Sequence, residues 1–193
     1  MPWPGYIQQE AGRLTDTDEI CNHFFPLYLD ILYEYFPQDQ FRICPYYATP
    51  AAETGGTHGP DDWRFTTTFL VETRDPPRSP VLFLEIIEPT ALDTTRDDVP
   101  YFRAVDGQMR GYALQMLELL RIPRLYGISA IGVQLCYYVY DSAIGDIRSP
   151  PKIISDDPAM AKRWAMNLMD EEGHRQFMEM VRDIKDMLKG AGL

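Results

Sequence analysis

The sequence predicts an α/β domain of the α+β kind: a central mixed β-sheet flanked by helices, followed by a C-terminal helical extension. Three observations carry that expectation. The first is order. A helical run, three strand-like runs, a second helical run and two more strand-like runs follow one another, and strands bounded by helices pack as a sheet between helical layers. The second is size. A chain of 193 residues, 45% of them apolar, fits a single domain with a real core. The third is Pro80-Val-Leu-Phe-Leu-Glu85-Ile-Ile87, a short apolar run that reads as a central buried strand.

The elements follow in order. A first helix is expected from Thr15 to Thr17 onward, with Asp16, Asp18 and Glu19 in its first turn, where the helix dipole favours negative charge. Ile20, Phe24, Leu27, Ile31, Leu32 and Phe36 give it a broad apolar face, Pro26 should kink it and Pro37 ends it. Phe41 to Ala48 is a candidate strand, and Thr49 to Gly59 a Gly-, Pro- and Thr-rich loop. Trp63 to Thr73 is dense in Thr, Phe, Leu and Val, and Arg74 to Pro80 turns the chain into the Glu85 strand. After a polar loop from Thr90 to Pro100, Tyr101 to Leu120 carries apolar residues at spacings of three and four and reads as a long helix. Arg124 to Ala130 and Val133 to Asp141 read as strands joined at Ile131-Gly132. A Pro-rich connector, Ser149 to Pro158, leads to a C-terminal helical region, with Asp170-Glu-Glu172 as a solvated helix start. The whole chain, 1–193, reads as one domain with a core over about 15–141 and an extension over about 156–190.

Composition limits the functions. The net charge is -11, a surface that repels polyanions at long range and disfavours broad, sequence-independent binding to nucleic acid. Cys21, Cys44 and Cys136, with His23, His58 and His174, show no metal-ligand spacing. They read as reduced thiols of an intracellular protein, cytoplasmic or nuclear. No apolar run approaches the length of a membrane span, so no membrane is expected among its partners.

Glu85 is the residue that points to chemistry. An ionised carboxylate in a buried strand costs several kcal/mol unless it is paired or holds a metal. Strand alternation places Glu85 and Ile87 on one face. Pro60-Asp61-Asp62 lies before the preceding strand, and carboxylates one hairpin apart can converge on one ion. On the following helix Gln108 and Tyr112 are four apart and share a face.

The element order, Pro60-Asp61, Glu85-Ile86-Ile87 and Gln108-x-x-x-Tyr112 resemble the PD-(D/E)XK restriction-endonuclease-like superfamily, with its α-β-β-β-α-β core. The glutamine element is most similar to its RecB-like branch. Phe83-Leu-Glu85-Ile86, Asp106-Gly-Gln108-Met-Arg110 and Pro123 to Ala130 also resemble small uncharacterised mushroom proteins of this kind.

The resemblance implies a Mg²⁺ site with Asp61 or Asp62 as first ligand, Glu85 as second, the Ile86 carbonyl as third and Glu19 as an additional ligand. It implies that Gln108 orients substrate or nucleophile, with Tyr112 and Arg124 in substrate binding. The departure is Ile87, where the family has a lysine that stabilises the transition state or positions water. Arg103, Arg110 and Arg124 are the candidate substitutes, but arginine stays protonated and is a poor general base.

The expected function is therefore a degenerate nuclease-like protein with weak or no metal-dependent phosphodiesterase activity, acting as an interaction module. The alternatives are an active Mg²⁺-dependent nuclease with a substituted cation, and a small-molecule enzyme using Glu85 as acid or base. The partner is nucleic acid for the active nuclease and otherwise a protein or a small molecule. Without a metal, Arg103 or Arg110 is expected to pair with Glu85.

Overall fold

The computed structural model describes residues 3–14, 23–45, 67–87, 99–151 and 162–193. Within them the fold is α+β, with a mixed seven-stranded sheet and four α-helices. Helices α1 (Gly5–Arg13) and α2 (Phe25–Tyr35) lead into strands β1 (Phe41–Pro45), β2 (Thr67–Thr73) and β3 (Pro80–Ile87). Helix α3 (Val99–Met116) connects β3 to β4 (Arg124–Ile131) and β5 (Gln134–Asp141). Short strands β6 (Asp146–Ser149) and β7 (Met166–Asn167) precede the long helix α4 (Glu171–Ala191).

The sheet runs β1-β2-β3-β4-β5-β6, with β7 added to β5. β3 and β4 are parallel and the other neighbours antiparallel. Parallel neighbours need a crossover, and α3 supplies it. Glu85 therefore sits on a central strand, between the strand ending at Thr73 and the one starting at Arg124.

Alternation along β3 divides the core between two layers. Leu82, Leu84 and Ile86 join the larger cluster with Ile7 of α1, Leu27 and Ile31 of α2, and Phe177, Val181 and Ile184 of α4. Phe83 and Ile87 join the second cluster with Phe102, Val105, Met109 and Ala113 of α3. All eight residues of β3 are buried, as expected for a strand covered by helices on both faces.

Three local expectations are revised. Pro26 does not kink a helix. It lies in the first turn of α2, where its missing N–H costs nothing because the opening donors have no intrahelical partner. The expected start at Thr15 to Thr17 lies outside the described residues. Helix α1 was not anticipated. It is short and polar, and Ile7 is its buried residue. Strands β6 and β7 were also not anticipated, being only four and two residues long.

The N-terminal segment docks on the start of α4. Trp3 donates its indole N–H to the Leu168 carbonyl at 2.9 Å, and its ring meets His174 edge-on at 4.6 Å. Burial holds the His174 pKa below its ordinary value because the charged form loses solvation. The folded state therefore binds the His174 proton less readily than the unfolded chain. This contribution is neutral above the ordinary histidine pKa and destabilises as pH falls through it towards the folded value. His174→Gln is expected to lose less melting temperature than the native protein between pH 7 and pH 5. Identical slopes in thermal melts would refute the coupling.

Among the described residues, no helix is long and apolar enough to cross a membrane.

Candidate functional site

Glu85 is fully buried and lies in a row of polar residues crossing the sheet. Its register partners are Thr68 on β2 and Ser129 on β4, and Ser129 is in turn opposite Cys136 on β5. All four are buried. They face α3, because each is in step with the α3-side residues of its own strand.

From above, α3 supplies Gln108. Its Nε2 donates to Glu85 Oε1 at 2.5 Å and to the Tyr112 hydroxyl at 2.9 Å. The two acceptors are reached by one amide because residues four apart stack on a helix face. The Tyr112 pKa is raised, first by burial and then by the Glu85 carboxylate, while hydrogen bonds from Thr68 and Gln108 oppose the shift. Tyr112 is consequently a neutral hydroxyl at neutral pH. Its ring is held by Phe83, which meets it edge-on at 6.0 Å. Phe83 in turn lies over Gly127, where a Cβ would come within 2.5 Å of the Phe83 ring. Bare backbone on β4 thus makes room for the aromatic that supports the site.

The arginines go elsewhere. Arg110 donates to both Asp106 carboxylate oxygens, at 2.9 and 3.3 Å, and to the Pro150 carbonyl at 2.7 Å. Arg163 approaches the same carboxylate at 3.7 Å. The residue of α3 placed on Glu85 is Gln108, where an arginine was expected. Two residues advance a helix by about 200°, so Arg110 turns away from the Gln108 face towards Asp106. Arg103 is exposed on α3. Arg124 pairs with Asp183 of α4 at 2.7 Å, and Tyr126 donates to the same carboxylate at 2.5 Å. That group lies on the opposite face of the sheet from Glu85, since Tyr126 belongs to the α4-side core. Of the proposed catalytic and substrate residues, Glu85, Gln108 and Tyr112 come together, and Arg110 and Arg124 do not join them.

The proposed metal ligands Asp61, Asp62 and Glu19 lie outside the described residues. Among the described residues no group of three His, Cys, Asp or Glu could hold a metal ion. Among the described residues, the hydrogen bond to Glu85 Oε1 comes from the Gln108 amide at 2.5 Å.

Sequence reasoning missed four members of this region: Thr68, Ser129, Asp106 and Trp164. Trp164 donates its indole N–H to Ser129 Oγ at 3.0 Å. Ser129 carried a signal of the same kind as Glu85, a polar residue within an apolar strand run. Asp106 carried only its spacing of four from Arg110, and Trp164 carried none, because its contact with Phe102 of α3 depends on tertiary packing. The Cys136 thiol is buried, and its pKa is pushed up to about 12, mainly by that burial.

No family model, curated protein or solved structure matches this chain.

Proposed function

We propose that this chain is a restriction-endonuclease-like domain of the PD-(D/E)XK kind that no longer cleaves phosphodiesters and serves as an interaction module. One observation carries the reading. Ile87, at the position of the family's lysine, is fully buried in the apolar layer under α3. A side chain so placed supplies neither a cation for a phosphorane-like transition state nor a group that positions water.

Further support comes from the order α2-β1-β2-β3-α3-β4, with the carboxylate on the third strand and the glutamine and tyrosine on the helix that follows. Gln108 occupies one oxygen of Glu85 with a donor, which stabilises the carboxylate in place without a metal. The net charge of -11 favours a protein partner over nucleic acid, since association with polyphosphate depends on Lys and Arg meeting phosphates.

The test is direct. The purified protein, supplied with Mg²⁺ or Mn²⁺ and offered single- and double-stranded DNA and RNA, is expected to show no turnover above a Glu85→Gln control. Robust cleavage by the native protein that Glu85→Gln abolishes would overturn the reading.

A further inference from the structure

A cleft of about 410 Å³ opens between the end of α4 and two turns, the one from α2 into β1 and the one from β2 into β3. Its volume is within the range of small-ligand sites, about 300–1,000 Å³. Phe41 and Leu188 supply an apolar lining, and both belong to the core cluster packed under α4. Glu85 faces the other layer, under α3, so this cleft is separate from it.

The two walls carry opposite charge. Lys185 and Lys189 stand on the α4 wall, four residues apart and so on one helix face. Asp39 and Asp75 stand on the wall made by the turns. The lysines of this chain are Lys152, Lys162, Lys185 and Lys189, and the last two meet at this one cleft. Among the described residues no ion pair joins the walls. Lys189 pairs along its own helix with Asp186 at 3.5 Å, and Lys185, Asp39 and Asp75 take part in none.

Both walls are held by backbone hydrogen bonds. Gln40 and Phe41 close the Asp39 turn by donating to the Pro37 carbonyl at 3.1 and 2.9 Å. Arg74 ties the two turns together. Its backbone N–H donates to the Gln40 carbonyl at 2.8 Å, and its guanidinium to the Gln38 carbonyl at 2.5 Å. Opposite them, α4 is capped by Gly192 in the left-handed region, and Leu193 donates back to the Leu188 carbonyl at 3.0 Å. A preformed site loses less conformational freedom when it binds.

We propose that this cleft binds a short peptide with free termini and apolar side chains. The peptide carboxylate meets Lys185 and Lys189, its ammonium meets Asp39 and Asp75, and a side chain rests on Phe41 and Leu188. The choice of ligand follows from the walls. A simple anion would meet two carboxylates as well as the lysines, and a simple cation two ammonium groups as well as the aspartates. A zwitterion satisfies both. A free α-amino acid carries its two charges on one carbon, the closest spacing available. Each added residue separates the termini by up to about 3.3–3.6 Å, so a di- or tripeptide reaches from wall to wall. This site goes beyond the reading of Glu85 and does not depend on it.

The probes are leucyl-leucine and leucyl-glycyl-leucine, titrated into the full chain labelled with nitrogen-15 and followed by amide chemical shifts. Saturable shifts are expected at Gln40, Phe41, Thr73, Leu188 and Gly192. Leucyl-leucine amide and N-acetyl-leucyl-leucine each lack one charge, and both are expected to bind at least tenfold more weakly than leucyl-leucine, as is free leucine. The double variant Lys185→Gln/Lys189→Gln should remove the advantage of leucyl-leucine over its amide. Asp39→Asn/Asp75→Asn should remove its advantage over the acetylated form. All four side chains are exposed or half-buried, and circular dichroism checks that each variant is folded. If a variant is not, the comparison of free and capped peptides on the native protein decides. Neither peptide giving saturable shifts at these amides overturns the proposal. So do capped peptides that bind as tightly as free ones, and inorganic phosphate shifting the same amides as strongly, which would mark an anion site only.

Discussion

Gly173→Ala is expected to destabilise the fold by roughly 1–3 kcal/mol, the range for forcing extra volume into a packed site. The sign is the informative part. Gly173 lies in the first turn of α4, and a glycine-to-alanine change in a helix ordinarily stabilises by up to about 1 kcal/mol. Here an added Cβ would lie 2.0 Å from the Asn167 carbonyl oxygen and 3.0 Å from the Leu168 Cα. Both are backbone atoms, so no rotamer change relieves the clash. The turn that would have to move is held at several points. Leu168 donates its N–H to the Val133 carbonyl at 2.9 Å, and its own carbonyl accepts from Trp3 at 2.9 Å. Shifting it would loosen the join between sheet, α4 and the N-terminal segment together. Gly190→Ala is the control. It lies in the same helix with nothing within 4 Å of its added Cβ, and should be neutral or stabilising by up to about 1 kcal/mol. Urea denaturation of both variants decides. A Gly173→Ala protein as stable as the native one would mean the turn gives way without cost.

The fold was legible where hydrophobic period and boundary residues agreed. The β3 run, the α3 spacing, the pair β4 and β5 around Gly132, and the acidic start of α4 at Asp170 were each readable before any contact was known. Each carries a dense local signal. What escaped were elements whose stability is tertiary. Helix α1 buries one side chain, Ile7, so its period is faint. β7 is two residues that gain strand geometry only by lying on β5. Pro26 was misread because proline breaks a helix interior but suits a helix start, and the choice depends on where the helix begins.

The site divides in the same way. The link from Glu85 to Gln108 and Tyr112 was legible because strand alternation and helical spacing each fixed one side of it. The destination of Arg110 was not. A buried carboxylate asks for a donor, but charge alone cannot distinguish an amide on the facing side of a helix from a guanidinium two residues further round. The competing carboxylate, Asp106, is 2% exposed and sits four residues before Arg110, the spacing of a helical ion pair. Weighing that local pair against the distant one would have turned the expectation towards Asp106.

Ile87→Lys is expected to destabilise the protein by roughly 3–5 kcal/mol, the scale of an uncompensated buried charge, and to bring no cleavage. From the sequence alone, restoring the lysine of the motif looks like a route to restored activity. The surroundings argue otherwise. Ile87 is fully buried with Phe102, Val105 and Trp164 in its cluster, and these apolar groups offer an ammonium neither water nor acceptors. The carboxylate two residues away is already engaged on Oε1 by Gln108, so a lysine would compete with an amide for it while displacing packed side chains. Ile87→Val separates size from charge and should cost only about 0.5–1.5 kcal/mol. Urea midpoints of the two variants, with cleavage assays of DNA and RNA in Mg²⁺, test this. An Ile87→Lys protein that keeps native stability would show that its ammonium reaches Glu85. If it also cleaved, the apolar layer around position 87 would have to be read as a recent filling of a working site, with the remainder of the catalytic geometry still in place.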